Sequence, residues 1–238
     1  MTNEADTWKT TREQNGIYEN ETNFLEECLN ELSRHHVVGK SASFSQMAEQ
    51  FFSGNKSLFK GSNVYDRGNA DYSFVDEKTR GKGKWLKFPI VRVDFGSIND
   101  FDTFAQFENE YTEKIKAISR SHNLEEDWIS FLIKGLHNKY KLPIIGLIEN
   151  YDVPLDAAHR TGRKELARRV GQFLNNLFDG SLRNTEELEV LFITFASDLR
   201  DIAVGRKCGW DLEDFVSNVE RITKNKFPND LPSTLDYN

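Results

Sequence analysis

Leu142-Pro143-Ile144-Ile145-Gly146-Leu147-Ile148 is a continuous apolar run, and Glu149-Asn150-Tyr151-Asp152 follows it at once. The length and flanks of the run indicate a strand buried on both faces rather than a helix. Its end is polar. Carboxylates at the end of a buried strand suit Mg²⁺ held through water. The other reading is turn chemistry, with Asn150 and Asp152 opening the loop before Pro154. Taken alone, these four residues favour the turn.

Two further stretches resemble the first in composition. Phe88 to Phe95 reads FPIVRVDF, and Leu188 to Phe195 reads LEVLFITF. Both are mostly apolar with β-branched residues, which suits strands. Helical spacing fills the intervals. Residues 23–33 carry Phe24, Leu25, Cys28, Leu29 and Leu32, with Asn23 and Glu26 spaced as a capping box. Residues 42–53 place Phe44, Met47, Ala48, Phe51 and Phe52 on one face. After Asp100, a candidate cap, Phe101, Phe104, Phe107, Tyr111, Ile115 and Ile118 step by three or four. After Asn123 and Glu126, a second capping-box spacing, the stripe is Trp128, Phe131, Leu132, Leu136 and Tyr140. Residues 162–178 predict a helix with Leu166, Val170, Phe173, Leu174 and Leu177 inward, and Asp211 starts a last one.

Three apolar strands alternating with helices predict an α/β domain. Its sheet is mostly parallel and covered on both faces. Ligands of such sheets bind beyond the carboxyl ends of the strands. Those ends are 94–97, 149–152 and 194–198, and all three are polar.

The whole chain fits this reading. Its 238 residues suit one large domain, and 18 Phe with 4 Trp can fill a core despite 29% charged residues. We expect an arm over 1–20, the α/β domain over 21–222 and a tail over 223–238. Residues 60–87, rich in glycine and lysine, predict a long loop. No apolar run reaches the length of a membrane span, and the first twenty residues do not resemble a secretory signal. Cys28 and Cys208 are the two cysteines, too few for a disulfide framework. A reducing compartment, cytoplasm or nucleus, is expected. The net charge of −7 argues against wholesale coating of nucleic acid. Local basic sites remain at Lys78 to Lys87 and at Arg160, Arg163, Lys164, Arg168 and Arg169. A solvated helix face is the favoured reading of the second cluster. The five histidines do not show metal-ligand spacing, and no G-x-S-x-G elbow starts a hydrolase triad.

Gly39-Lys40-Ser41 opens the helix predicted over 42–53. In a phosphate-binding loop the glycine lets backbone N–H groups approach phosphate. The lysine charge meets the β- and γ-phosphates, and the serine hydroxyl ligates Mg²⁺. The general pattern wants a second glycine at the position of Arg34. On the tripeptide alone, an ordinary helix N-terminus capped by Ser41 or Ser43 is the favoured reading.

Order changes that balance. From about 33 to 220 the chain resembles the AAA-ATPase-like domain often fused to a restriction-nuclease-like domain. Ser33-Arg34-His35-His36-Val37-Val38-Gly39-Lys40-Ser41 is similar to that family's T-R-P-R-R-F-G-K-S, in which arginine stands where Arg34 does. Met47, Phe51, Phe52 and Leu58-Phe59-Lys60-Gly61 resemble its M-L-x-x-F-F and L-F-x-G segments. Pro89-Ile90-Val91 with Asp94-Phe95-Gly96-Ser97 resembles P-V-I-x-x-D-F-S. Leu147 to Leu155, LIENYDVPL, resembles L-I-D-E-Y-D-x-P-L, and Cys208-Gly209-Trp210 resembles C-G-Y.

The resemblance implies a P-loop NTPase-like three-layer sandwich that binds ATP and Mg²⁺. Arg34, Gly39, Lys40 and Ser41 would hold nucleotide, and Ser41, Glu149 and Asp152 the metal. It also exposes departures. The apolar strand that should feed the phosphate loop is missing or shortened, and only Val37 and Val38 offer strand character. A short substitute over 35–38, a packed helix or a partner would have to cover β-edge 190–195. Glu149 stands for an aspartate, and Asn150 for the glutamate that activates water. Asparagine accepts no proton, so hydrolysis should be impaired. Asp198 adds negative charge after the third strand. The family continues into a helical lid and commonly a nuclease, so a trimmed, altered member is expected. Two functions follow: an ATP/Mg²⁺-binding domain with slow or absent hydrolysis, or a pseudo-ATPase that serves as a protein-interaction module without nucleotide.

Overall fold

Every residue of Ile144–Glu149 is buried, so this strand has apolar neighbours on both faces. That places it inside a parallel sheet. The computed structural model describes residues 19–30, 35–38, 42–65 and 87–196. In chain order the elements are α1 (Glu19–Asn30), β1 (His35–Val38), α2 (Ala42–Phe52), a 3₁₀ turn (Lys56–Phe59), β2 (Ile90–Asp94), α3 (Phe104–Ser121), α4 (Ile129–Tyr140), β3 (Ile144–Glu149), α5 (Val153–Arg160), α6 (Lys164–Asn176), a π-helical turn (Leu177–Leu182) and β4 (Leu188–Thr194). The four strands form one sheet in the order β1-β4-β3-β2, and every pairing is parallel.

Alternation along the strands sorts side chains into two cores. Ile145, Leu147 and Phe192 face α1 and α2, where they meet Leu25, Phe44, Met47, Phe51 and Phe52. Phe44 packs edge-on to Phe192 with centroids 5.1 Å apart. On the opposite face Val91, Val93, Ile148, Leu191 and Ile193 join the buried sides of α3, α4, α5 and α6. The result is the three-layer α/β sandwich that the sequence led us to expect.

Gly146 is the thin point of β3. A Cβ there would lie 2.8 Å from Leu191 Cδ1 and 3.2 Å from Leu188 Cδ1. Gly146→Val inserts three carbons into this packed layer. It should lower stability by about 1–3 kcal/mol, read as a lower urea midpoint. An unchanged midpoint would show that the two leucines move aside freely.

β1 settles which of the three covers for β4 is used. His35–Val38 pairs with Leu191–Thr194 in register, so the short substitute strand forms. Among the described residues the sheet therefore has four strands, one more than the three apolar runs predicted.

Several boundaries differ from expectation. The first helix spans Glu19–Asn30 rather than 23–33. Thr103, not Asp100, caps α3, in a reciprocal capping box with Gln106. Asn123 and Glu126 do not cap α4, which begins at Ile129, and Asn123 sits in a turn at φ 52°. The buried side of α4 is Ile129, Leu132, Ile133 and Leu136, whereas Phe131 and Tyr140 are exposed. Starting the stripe at Trp128 rotated that face. The expected helix over 162–178 is α6, which passes into the π-helical turn at Leu177. α5 was not foreseen, because Pro154 looked like a loop residue; at the first turn of a helix its missing N–H costs nothing. The expected helix from Asp211, most of the 60–87 loop, most of the N-terminal arm and the C-terminal tail lie outside the described residues.

Candidate functional site

The strand ends meet in one row. Val38 pairs with Thr194, and Asp94 pairs with Glu149. Ile148 pairs with Ile193, which brings Glu149 level with Thr194. Backbone bonds extend the row past the strands: Phe95 N–H donates to the Glu149 carbonyl at 2.9 Å, and Tyr151 N–H to the Thr194 carbonyl at 3.1 Å. Gly39 is the next residue after Val38, and α2 begins at Ala42. In sequence the Gly-Lys-Ser tripeptide is thus bracketed by a strand and a helix. Arg34, Gly39, Lys40 and Ser41 themselves lie outside the described residues.

Glu149 is 6% exposed, so its charge needs a partner. Arg92 supplies it from mid-β2. Its Nε donates to Glu149 Oε2 at 2.6 Å and its Nη2 to Oε1 at 3.1 Å, a bidentate fork. The third arm, Nη1, donates to Glu49 Oε2 on α2 at 2.6 Å. The Glu149 hydrogen bond, then the field of Glu149 and Glu49, raises the Arg92 pKa against the opposing effect of partial burial. This triad ties α2, β2 and β3 together below the strand ends.

Asn150 turns the chain. Its φ is 54°, a left-handed conformation that asparagine adopts more readily than most residues. Its Nδ2 donates to Asp94 Oδ1 at 2.7 Å, and the Gly96 N–H donates to the same oxygen at 2.7 Å. A side chain at Gly96 would press on both, because a Cβ there would lie 2.9 Å from Asn150 Nδ2 and from Asp94 Oδ1.

Asp152 is 6% exposed, and its Oδ1 accepts from the Ala196 N–H at 2.8 Å. It fastens the turn after β3 to the chain leaving β4. Between them Tyr151 is buried and donates from its hydroxyl to the Leu174 carbonyl, holding α6 against the same turn. Burial raises the Tyr151 pKa well above its ordinary value, so the group stays a neutral donor.

The basic cluster is occupied differently. Arg163 pairs with Asp102 at 3.2 Å, and Arg168 donates to Glu165 at 2.8 Å and to Gln172 at 2.8 Å. Arg169 lies over the Phe104 ring at 4.1 Å. Arg160 and Lys164 are exposed. Of the lysine run, Lys87 is described and exposed, and Lys78 to Lys84 lie outside the described residues.

Sequence reasoning brought Glu149, Asn150 and Asp152 to one strand end correctly but missed Arg92 and Glu49. The signal was there. A single arginine inside the apolar run FPIVRVDF calls for an anion beside it, and the apolar run that follows in the chain ends in one.

Among the described residues no group of three or more His, Cys, Asp or Glu is arranged as a metal site, and no helix is long and apolar enough to cross a membrane. Mg²⁺ does not require such a group. It keeps several waters and takes one or two carboxylates together with substrate phosphates. Glu149 and Asp94 stand side by side, and each carboxylate keeps acceptor capacity beyond the bonds described. The donor set fits a water-mediated Mg²⁺.

A sheet of this order, with Gly-Lys-Ser between its first strand and the following helix and an acidic end on β3, is a P-loop NTPase-like α/β fold. The chain belongs to the AAA-ATPase-like family, described as predicted AAA-ATPase, which matches residues 5–201. No curated protein and no solved structure matches it.

Proposed function

We propose that this chain is an ATP- and Mg²⁺-binding P-loop domain with impaired or absent hydrolysis. The observation that supports the reading is that β1, whose last residue Val38 pairs with Thr194 among the polar strand ends, is followed after only Gly39-Lys40-Ser41 in sequence by α2. Backbone N–H groups at the start of α2 suit phosphate, and Lys40 adds a point charge. Ser41, with Glu149 and Asp152 at the end of β3 and Asp94 beside Glu149, would hold Mg²⁺, and Arg34 would help hold the nucleotide. The metal supplies charge neutralisation of the phosphates when bound. Impaired turnover is inferred from Asn150. Its side chain donates to Asp94 and accepts no proton, so it does not activate water.

A second reading rests on the extent of β1. In a general phosphate loop the four residues before Gly-Lys-Ser curl around the phosphates. Here those residues are His35–Val38, and they are strand. Only residues 39–41 separate β1 from α2. A shortened cradle suits a pseudo-ATPase that keeps the fold as a surface for a protein partner. A nucleic-acid partner through Lys78–Lys87 or Arg160–Arg169 is less favoured, since three arginines of the second cluster already have partners within the protein.

Titration calorimetry with Mg·ATP on the wild type and on Lys40→Ala separates the two. The first reading expects millimolar or tighter binding, weakened about tenfold or more by loss of the lysine charge. No heat from the wild type at millimolar nucleotide leaves the pseudo-ATPase. Equal binding by both proteins removes the phosphate-loop assignment.

A further inference from the structure

A guanidinium seated on a strand-end carboxylate is a resident cation. Arg92 forms the bidentate fork with Glu149, at 2.6 and 3.1 Å, on the α2 side of the sheet. Asp94 and Glu149 are register partners, so the arginine lies in the strand layer just before the row where a divalent cation would be held. Glu49 fixes the third arm of the guanidinium from α2, the helix that follows Gly39-Lys40-Ser41. The arginine is therefore held from two elements and is not a freely moving surface side chain.

We propose that Arg92 is a built-in counter-ion that competes with the divalent cation for Glu149 and sets a weak metal affinity. The idea rests on the nucleotide-binding reading and deepens it. Two costs act on an arriving metal. The fork uses one acceptor position on each Glu149 oxygen. The fixed positive charge also repels a second cation at short range, and partial burial leaves that repulsion less screened than on an open surface. Glu149 is one methylene longer than the aspartate expected from the family resemblance, which gives its carboxylate the reach to lie in the fork. Arg92 acts here through Glu149 and is a positioning residue.

The test uses Mn²⁺ alone as the probe, without nucleotide, followed by its electron paramagnetic resonance signal. The proteins are wild type, Arg92→Met, Arg92→Lys and the double variant Arg92→Met with Glu149→Gln. Arg92→Met should bind Mn²⁺ at least tenfold more tightly than wild type. Arg92→Lys keeps charge but loses the planar fork and should fall between them. Adding Glu149→Gln should cancel the gain. Circular dichroism checks that each protein is folded. If Arg92→Met is not, Arg92→Lys decides, with a gain of at least threefold expected. Equal or weaker Mn²⁺ binding by the folded Arg92 variants overturns the proposal, as does a gain that survives Glu149→Gln. Because no nucleotide is present, this result stands apart from the Mg·ATP titration. Lys40-dependent ATP binding with no gain from Arg92→Met defeats the counter-ion idea alone, and the opposite pair of results defeats the nucleotide reading alone.

Discussion

Replacing Phe173 by alanine is expected to lower the folding free energy by about 3–5 kcal/mol, among the largest costs of a single truncation in a core. Phe173 projects from α6 into a group of four rings. Its centroid lies 5.0 Å from Phe107, 5.0 Å from Tyr111, 5.6 Å from Trp128 and 6.1 Å from Phe104. All four contacts are edge-on, the arrangement in which ring quadrupoles attract. They connect α6 to α3 and to the start of α4. Removing the ring leaves a cavity walled by large, already packed side chains that have little room to collapse. A domain of ordinary stability has about 5–15 kcal/mol to lose, so the variant should be close to unfolding at physiological temperature. Urea unfolding followed by far-ultraviolet circular dichroism measures the loss. A cost below about 1 kcal/mol would mean that the rings close over the gap.

The legibility of this fold follows how strongly each residue's surroundings constrain it. β3 and β4 were plain because a strand buried on both faces has to be apolar throughout. The inward faces of α2 and α6 were equally plain, since Phe44, Met47, Phe51 and Phe52, and Leu166, Val170 and Leu174, repeat at helical spacing and are all buried. β1 was faint for the opposite reason. His35–Val38 is four residues long and half polar, and its strand state follows from pairing with β4, a long-range contact that local pattern does not encode. α5 was hidden by Pro154, whose meaning depends on whether it falls inside a loop or at a helix start. The site shows the same division. Glu149 and Asp152 stood out as acids after an apolar run. That Glu149 is held by Arg92 depends on which strands become neighbours, and the sequence order β2 then β3 leaves that open until the sheet is built. The resemblance of the motifs to one family supplied the order of parts and drew notice to Asn150; the reason asparagine suits that position came only with its backbone angle and its bond to Asp94.

Asn150→Glu is expected to raise ATP turnover about 100-fold over a near-background wild type, the lower end of what a general base contributes. The lower end applies because the position is not built for a carboxylate. Glutamate loses the hydrogen bond that Asn150 Nδ2 donates to Asp94 and instead faces a like charge across that 2.7 Å contact. It also has to adopt the 54° φ that asparagine tolerates better. Strain of this kind costs about 1–3 kcal/mol, so a lower melting temperature should accompany the gain in rate. Repulsion from Asp94 should turn the new carboxylate away from β2, toward where water and phosphate would meet in the nucleotide-binding reading. Phosphate release at saturating Mg·ATP reads the rate, and Asn150→Gln is the control. Glutamine matches the length of glutamate but accepts no proton, so it should stay at the wild-type rate. A gain shared by the glutamine variant would assign the effect to side-chain length rather than to basicity. Wild-type turnover of about 1 s⁻¹ or faster, the lower end of ordinary enzymes, would show that another group already activates the water.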